Sequence, residues 1–195
     1  MSHLTVDFIM SLDGYGAAEG WPGYWGMEGP EYFAWIGDDE VEEHVALMGA
    51  TTYRLMSGFA AQMPDDPGLA GLTALPKVVF SSTLKAPLSW ANTELVDEEP
   101  VEAVRAMKRN ASRPLRTLGS LRLCRALLRA DLVDRFRVVV FPVITGATGR
   151  ERIFDGYPDV ALELVDHRMF DGRLQLLEYI PTVLDGPPLA NQPGD

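Results

Sequence analysis

Basic residues are scarce in this chain of 195: 17 Lys and Arg stand against 28 Asp and Glu, a formal net charge of −11. Holding a phosphate backbone or an anionic bilayer needs a basic face, so nucleic-acid and membrane partners are disfavoured. A small anionic ligand stays open if a few arginines cluster. Cys124 is the only cysteine, which excludes an intrachain disulfide and a thiolate zinc site and fits a reducing compartment. His3, His44 and His167 lack metal-ligand spacing and read as surface residues, so no metal is expected. There is no basic segment leading into an apolar one, and no run of about 18 apolar residues. A cytoplasmic location is the expectation. Also missing are G-x-G-x-x-G, G-x-x-x-x-G-K-[ST] and G-x-S-x-G, which removes the usual dinucleotide, P-loop and hydrolase-elbow signatures.

What is present is strand–turn–helix punctuation. Leu4 to Met10 alternates as a strand and runs into Ser11-Leu12-Asp13-Gly14, a turn. Residues 14 to 37 read as a long loop rich in glycine and aromatics, including Tyr15, Trp21, Tyr24, Trp25 and Trp35. Such a loop suits either a pocket wall for a flat ligand or an anchor on the core. Asp38 to Met48 starts as a helix capped by Asp38 or Asp39, with Val45 to Met48 preferred as a strand. Gly49-Ala50-Thr51-Thr52-Tyr53 then opens a helix. Gln62 to Gly71 is a punctuated surface segment with room for a short helix. Lys77 to Thr83 is a strand ending in three hydroxyls, Ser81, Ser82 and Thr83. Thr93 to Val96 is a strand, and Pro100 to Asn110 is an amphipathic helix with Val101, Val104 and Met107 inward.

The stretch from Pro114 to Ile144 repeats the theme: Leu115 to Leu118 as strand, Gly119-Ser120 as turn, Leu121 to Arg129 as helix, Val138 to Phe141 as buried strand. A glycine at a helix start lets unpaired amides approach an anion, helped by the helix dipole. The same pattern also fits an ordinary turn with Ser120 as N-cap. A loop at 145–149 contains Gly146. Val160 to His167 and Leu174 to Tyr179 form a hairpin turning at Asp171-Gly172. Pro181 to Asp195 holds four prolines and reads as a frayed tail. The order gives an α/β fold, one domain over 1–181 and a tail over 182–195, with a mostly parallel central sheet, an antiparallel C-terminal hairpin and helices on both faces. Ligands of such sheets sit at the carboxyl ends of the strands.

Ser11-Leu12-Asp13-Gly14, Gly49-x-x-Thr52-Tyr53, Lys77-Val78-Val79-Phe80-Ser81-Ser82-Thr83-Leu84, Leu118-Gly119-Ser120, and Leu132-Val133-Asp134 leading to Pro142 and Gly146 follow one another in a telling order. Over about residues 3 to 180 the chain resembles the dihydrofolate reductase superfamily. It is most similar to the branch containing the riboflavin-biosynthesis reductase domain, of the 5-amino-6-(5-phosphoribosylamino)uracil reductase type. The resemblance implies a three-layer fold, an NADPH cofactor with NADH as alternative, a small flat heterocyclic substrate, and a homodimer. It places cofactor phosphate at Gly49, Ala50, Thr51 and Thr52, the adenosine ribose and its 2′-phosphate at Ser81, Ser82 and Thr83, and the pyrophosphate at Gly119, Ser120, Leu121 and Arg122. The nicotinamide falls under the loop with Gly14, and Gly146 borders the same crevice.

Relatives commonly carry arginine where this chain has Ala50 and Ser82, which removes two guanidinium partners for a 2′-phosphate. Arg54 and Arg122 are the nearby substitutes. The proton that accompanies hydride transfer calls for a carboxylic acid kept protonated by apolar surroundings. Asp13, Glu31 and Asp38 are the candidates, and Asp13 also suits plain turn formation. The acid of true folate reductases has no counterpart, so little or no dihydrofolate turnover is expected. Residues 11–37 contain no Lys or Arg for a substrate 5′-phosphate. A catalytically silent nucleotide-binding protein is the alternative.

Overall fold

Leu4, Val6 and Phe8 alternate with Thr5 and Asp7, and this period of two builds β1 (Leu4–Ser11) with its apolar side fully covered. A computed structural model describes residues 2–20, 25–41 and 43–188, and for 38–41 the backbone only. β1 is followed by β2 (Tyr15–Ala18), α1 (Pro30–Val41), β3 (Val45–Gly49), α2 (Ala50–Gln62), α3 (Pro67–Ala74), β4 (Lys77–Phe80) and β5 (Thr93–Val96). Then come α4 (Pro100–Asn110), β6 (Leu115–Thr117), α5 (Leu121–Arg129), β7 (Arg135–Phe141), β8 (Gly149–Arg152), β9 (Val160–Phe170) and β10 (Leu174–Val183).

Eight strands form one sheet in the order β5-β4-β3-β6-β1-β7-β10-β9, and β2 pairs with β8 in a separate ribbon. β5 through β7 are mutually parallel, and the β10–β9 hairpin adds an antiparallel edge. Successive residues of a strand serve opposite faces. Val138 and Val140 pack with Val104 of α4 and Leu123, Leu127 and Leu128 of α5, whereas Val139 and Phe141 pack with Tyr32 of α1. On the α1 side, Ala46, Met48 and Val79 meet Tyr53 of α2 and Leu72 of α3. Helices thus cover both faces, and the three-layer α/β architecture expected from sequence is the one observed.

Five local expectations are corrected. Residues 14–37 are not one irregular loop, since β2 and most of α1 fall within them. The helix begins at Pro30, so Asp38 and Asp39 lie in its later turns rather than at its cap. What sets its start is distant: the Asp171 carboxylate, in the β9–β10 turn, accepts from the Glu31 and Tyr32 amides at 3.1 and 3.2 Å. Lys77 to Thr83 is strand only to Phe80. β10 runs through Val183, paired with Val160, so Thr182 belongs to the sheet. His44 is buried, not on the surface. Trp21 and Tyr24 lie outside the described residues. Among the described residues no helix is long and apolar enough to cross a membrane.

The lone thiol is an interior group. Cys124 is fully buried on α5 and donates to the Gly119 carbonyl at 3.0 Å, and burial pushes its pKa up to about 12. The thiolate is the reactive species, so native protein at pH 8 should react with a disulfide reagent at least about a thousandfold more slowly than unfolded protein. Rapid stoichiometric labelling of the native state would contradict this packing.

Candidate functional site

Because β4, β3, β6, β1 and β7 run parallel, their carboxyl ends fall along one edge of the sheet in that spatial order. The corners at 80–83, 49–52, 117–121, 11–14 and 141–146 are therefore neighbours. Two of them touch. The Gly49 amide donates to Ser120 Oγ at 2.7 Å, and Thr52 Oγ1 lies 2.8 Å from the same hydroxyl. Gly119 and Ser120 are consecutive left-handed residues, φ 54° and 72°, a costly conformation for serine that turns its side chain toward β3. The expectation of Ser120 as a capping side chain is thereby corrected: it occupies the N-cap position of α5, yet its hydroxyl bonds across to the next corner. The Gly49 amide is likewise already taken.

The helix starts differ in a way that singles out this place. A carboxylate caps α3 (Asp66, accepting from the Leu69 amide), another caps α4 (Glu99, accepting from Val101 and Glu102), and Asp171 caps α1. Among the described residues no side chain caps α2 or α5. Ala50, Thr51 and Thr52 on one helix, and Leu121 and Arg122 on the other, belong to two adjacent first turns whose amides have no intrahelical acceptor. Arg54 and Arg122 are exposed beside them. At the next corner Ser81 Oγ closes its own turn, accepting from the Thr83 and Leu84 amides at 3.1 Å each, while Ser82 and Thr83 are exposed.

On the far side of this pair, Asp13 is a latch. Its carboxylate accepts from Ser11 Oγ at 2.6 Å, from the Thr145 amide at 3.1 Å and from the Gly146 amide at 2.8 Å. The Ser11 hydroxyl, followed by the two backbone donors, lowers its pKa to about 2. An acid so firmly ionised cannot be the protonated donor expected of it, and that reading is corrected. Gly14, at φ 85°, lets the chain turn back into β2, and Leu12 and Ile144 flank the latch, 63% and 71% exposed. Glu31 is corrected too. Its carboxylate accepts from the Asp171 amide while Asp171 caps α1, a reciprocal box that joins helix to hairpin. The side chain of Asp38 lies outside the described residues.

The Asp13 latch gives a pH signature. Its folded pKa lies below the unfolded value near 3.8, so its stabilisation is complete above about pH 4 and is lost as pH falls through about 2. Asp13→Asn should be less stable than the parent at pH 7, with the gap closing near pH 2. Urea unfolding across that range measures it, and a gap independent of pH would refute the latch.

Sequence reasoning missed Glu28. Its Oε2 is buried without a hydrogen-bond partner among the described residues, as is Trp25 Nε1 three residues earlier. Trp25 packs on Phe141 at the carboxyl end of β7, ring centroids 5.2 Å apart. No local motif marks Glu28; only the aromatics around it hint at a buried environment. Among the described residues no cluster of three or more His, Cys, Asp or Glu could hold a metal.

The family model of the RibD C-terminal domain matches residues 2–176. The chain belongs to that family. The RibD-type fold is borne out by solved structures. A protein from Shewanella sp. PV-4 named for riboflavin biosynthesis superposes with a TM-score of 0.72 at 18% identity, covering 92% of this chain and 99% of that one. A pyrimidine reductase-like protein from Corynebacterium diphtheriae gives 0.64 at 13%, covering 93% and 92%. The diaminohydroxyphosphoribosylaminopyrimidine deaminase/5-amino-6-(5-phosphoribosylamino)uracil reductase of Thermotoga maritima gives 0.61 at 16%, covering 93% of this chain and 57% of that longer one. No curated protein matches the chain by sequence.

Proposed function

We propose that this RibD-type chain is a reductase that uses a reduced nicotinamide dinucleotide, NADPH by preference, on a small flat heterocycle of the pyrimidine or pterin kind. The observation that carries the reading is the pair of adjacent uncapped helix starts stitched by Ser120 at the middle of the sheet's carboxyl edge. Amides at 50–52 and 121–122 suit the pyrophosphate, and Gly119, with no side chain, allows its close approach. Ser82, Thr83, Arg54 and Arg122 suit the adenosine ribose and its 2′-phosphate. Gly14 and Gly146, held together through Asp13, would floor the nicotinamide end, where Leu12 and Ile144 offer apolar surface.

The bound dinucleotide would supply the hydride. The protein's own task is to orient a ring beside it, exclude water and provide a proton. Glu28 is the acid for that task. A buried carboxylate oxygen and, three residues earlier in the chain, a buried indole N–H, both without a partner among the described residues, suit a ring edge that offers a donor and an acceptor. Glu28→Gln should keep nucleotide affinity and lower turnover by about a hundredfold or more. The silent nucleotide binder remains the second reading, supported by the structural engagement of Asp13 and Glu31.

Calorimetric titration with NADPH and NADH is the test. Tighter NADPH binding is expected. Equal affinities would reject the phosphate-reading role of Arg54 and Arg122, and no binding of either would reject the whole assignment. NADPH oxidation in the presence of a pteridine or a phosphoribosyl-pyrimidine separates enzyme from silent binder.

A further inference from the structure

α1 begins without a capping side chain of its own. The Phe33 amide donates to the Gly29 carbonyl at 3.0 Å, which makes Gly29 the N-cap, and Pro30 follows at the first helical position. A glycine there leaves the amides of Glu31 and Tyr32 to be satisfied from elsewhere, and Asp171 does so from across the fold. Gly29 is buried, and a Cβ built on it would run into the Asp171 carboxyl carbon and both of its oxygens. The hairpin's carboxylate therefore fills the space that a capping side chain of residue 29 would take, and only glycine leaves room for it. Three more features tie the two places together. The Arg173 amide closes the turn on the Phe170 carbonyl at 3.0 Å, with Asp171 left-handed at φ 52°. The Phe170 ring lies 5.9 and 5.3 Å from those of Tyr32 and Trp35. The Glu31 carboxylate returns a bond to the Asp171 amide.

An aspartate or serine at position 29 would cap α1 with no distant partner. Taking the cap from Asp171 adds a constraint: α1 can start only where the hairpin tip stands. Glu28 immediately precedes this junction, and Trp25 lies three residues further back against Phe141. Glu28 Oε2 and Trp25 Nε1 are bonded to nothing among the described residues, so neither helps to hold the segment in place. We propose that Asp171 is a positioning residue: by fixing the start of α1 from the edge hairpin, it fixes where Glu28 and Trp25 stand at the end of β7. Its consequence for turnover rests on the role of Glu28 given above.

A variant that caps α1 from within separates positioning from capping. Gly29→Asp supplies the cap, Asp171→Gly removes the distant one at a left-handed position that glycine accepts, and Glu31→Ala cuts the return bond. The triple variant should melt within about 3 °C of the parent and bind NADPH within about threefold of it. Its kcat for NADPH oxidation with a pteridine or a phosphoribosyl-pyrimidine should fall about a hundredfold, as expected of an acid misplaced by about 1 Å. A merely structural cap gives the opposite result, full kcat once the helix has its own. Hydrogen exchange needs no turnover: the amides of residues 25–29 should exchange about tenfold faster in the triple variant, with those of β1 and β7 unchanged. Unchanged exchange at 25–29 overturns the proposal, and so does unchanged kcat. A parent without turnover strikes the reductase reading and not this one, which then stands or falls by the exchange.

Discussion

Lys77→Met should lower the free energy of unfolding by about 3 kcal/mol, the largest single-residue loss expected outside the apolar core. Lys77 is 1% exposed, a rare state for lysine. Its ammonium donates to the carbonyls of Leu72, Thr73 and Leu75 at 2.9, 2.8 and 2.7 Å. These are orphan acceptors around the last turn of α3, and the charge also favours that helix end. The Nζ atom lies 4.7 Å from the centre of the Trp90 ring, which adds a cation–π contact in a dry setting. Burial pushes the amine down to about 8, which leaves it mostly charged at pH 7. Methionine matches the stem in shape, so the variant isolates the polar head: three acceptors lose their donor while the volume stays filled. Chemical denaturation at pH 7 measures the loss. A change under about 1 kcal/mol would mean that water reaches those carbonyls.

Ser120→Asp should act in opposite directions on fold and function. A carboxylate beside the first turn of α5 would complement the helix dipole, so the helix gains up to about 1 kcal/mol. The aspartate can still accept from the Gly49 amide, which preserves the link between corners. The same charge would stand where the pyrophosphate is proposed to lie. Two charges about 4 Å apart at an effective dielectric near 20 repel by about 4 kcal/mol, so NADPH affinity should drop at least a hundredfold. Thermal melting read beside calorimetric titration gives both signs in one protein. Undiminished affinity would move the pyrophosphate away from this corner and remove the main support for the proposed function.

The corners were legible because they are local. A strand of period two, a glycine and a helix of period 3.6 can be read at 49–53 and 115–129 without knowing what lies beside them. α1 was not legible for the opposite reason. Gly37 and the acids at 38–39 resemble a stop and a new cap, while the carboxylate that fixes its start comes from Asp171, far along the chain. The roles of Asp13 and Glu31 went astray in the same way. Each sits in the expected place, but backbone partners that fix its role, Thr145 and Gly146 for one and Asp171 for the other, are more than a hundred residues distant. Ser120 was singled out as a cap or an anion contact. That it sews two corners together could be known only once β3 and β6 were neighbours.

β1 lies between β6 and β7, the first of which begins at Leu115. β1 thus leaves the ribosome more than a hundred residues ahead of its first neighbour, and β2, which pairs with β8, waits longer. At a synthesis rate of about 5–20 residues per second, Leu4, Val6 and Phe8 remain without a sheet for several seconds to about twenty. α1 waits longer still, because the turn that caps it follows β9. The segment from β1 to α1 should therefore be the natural client of a nascent-chain holdase.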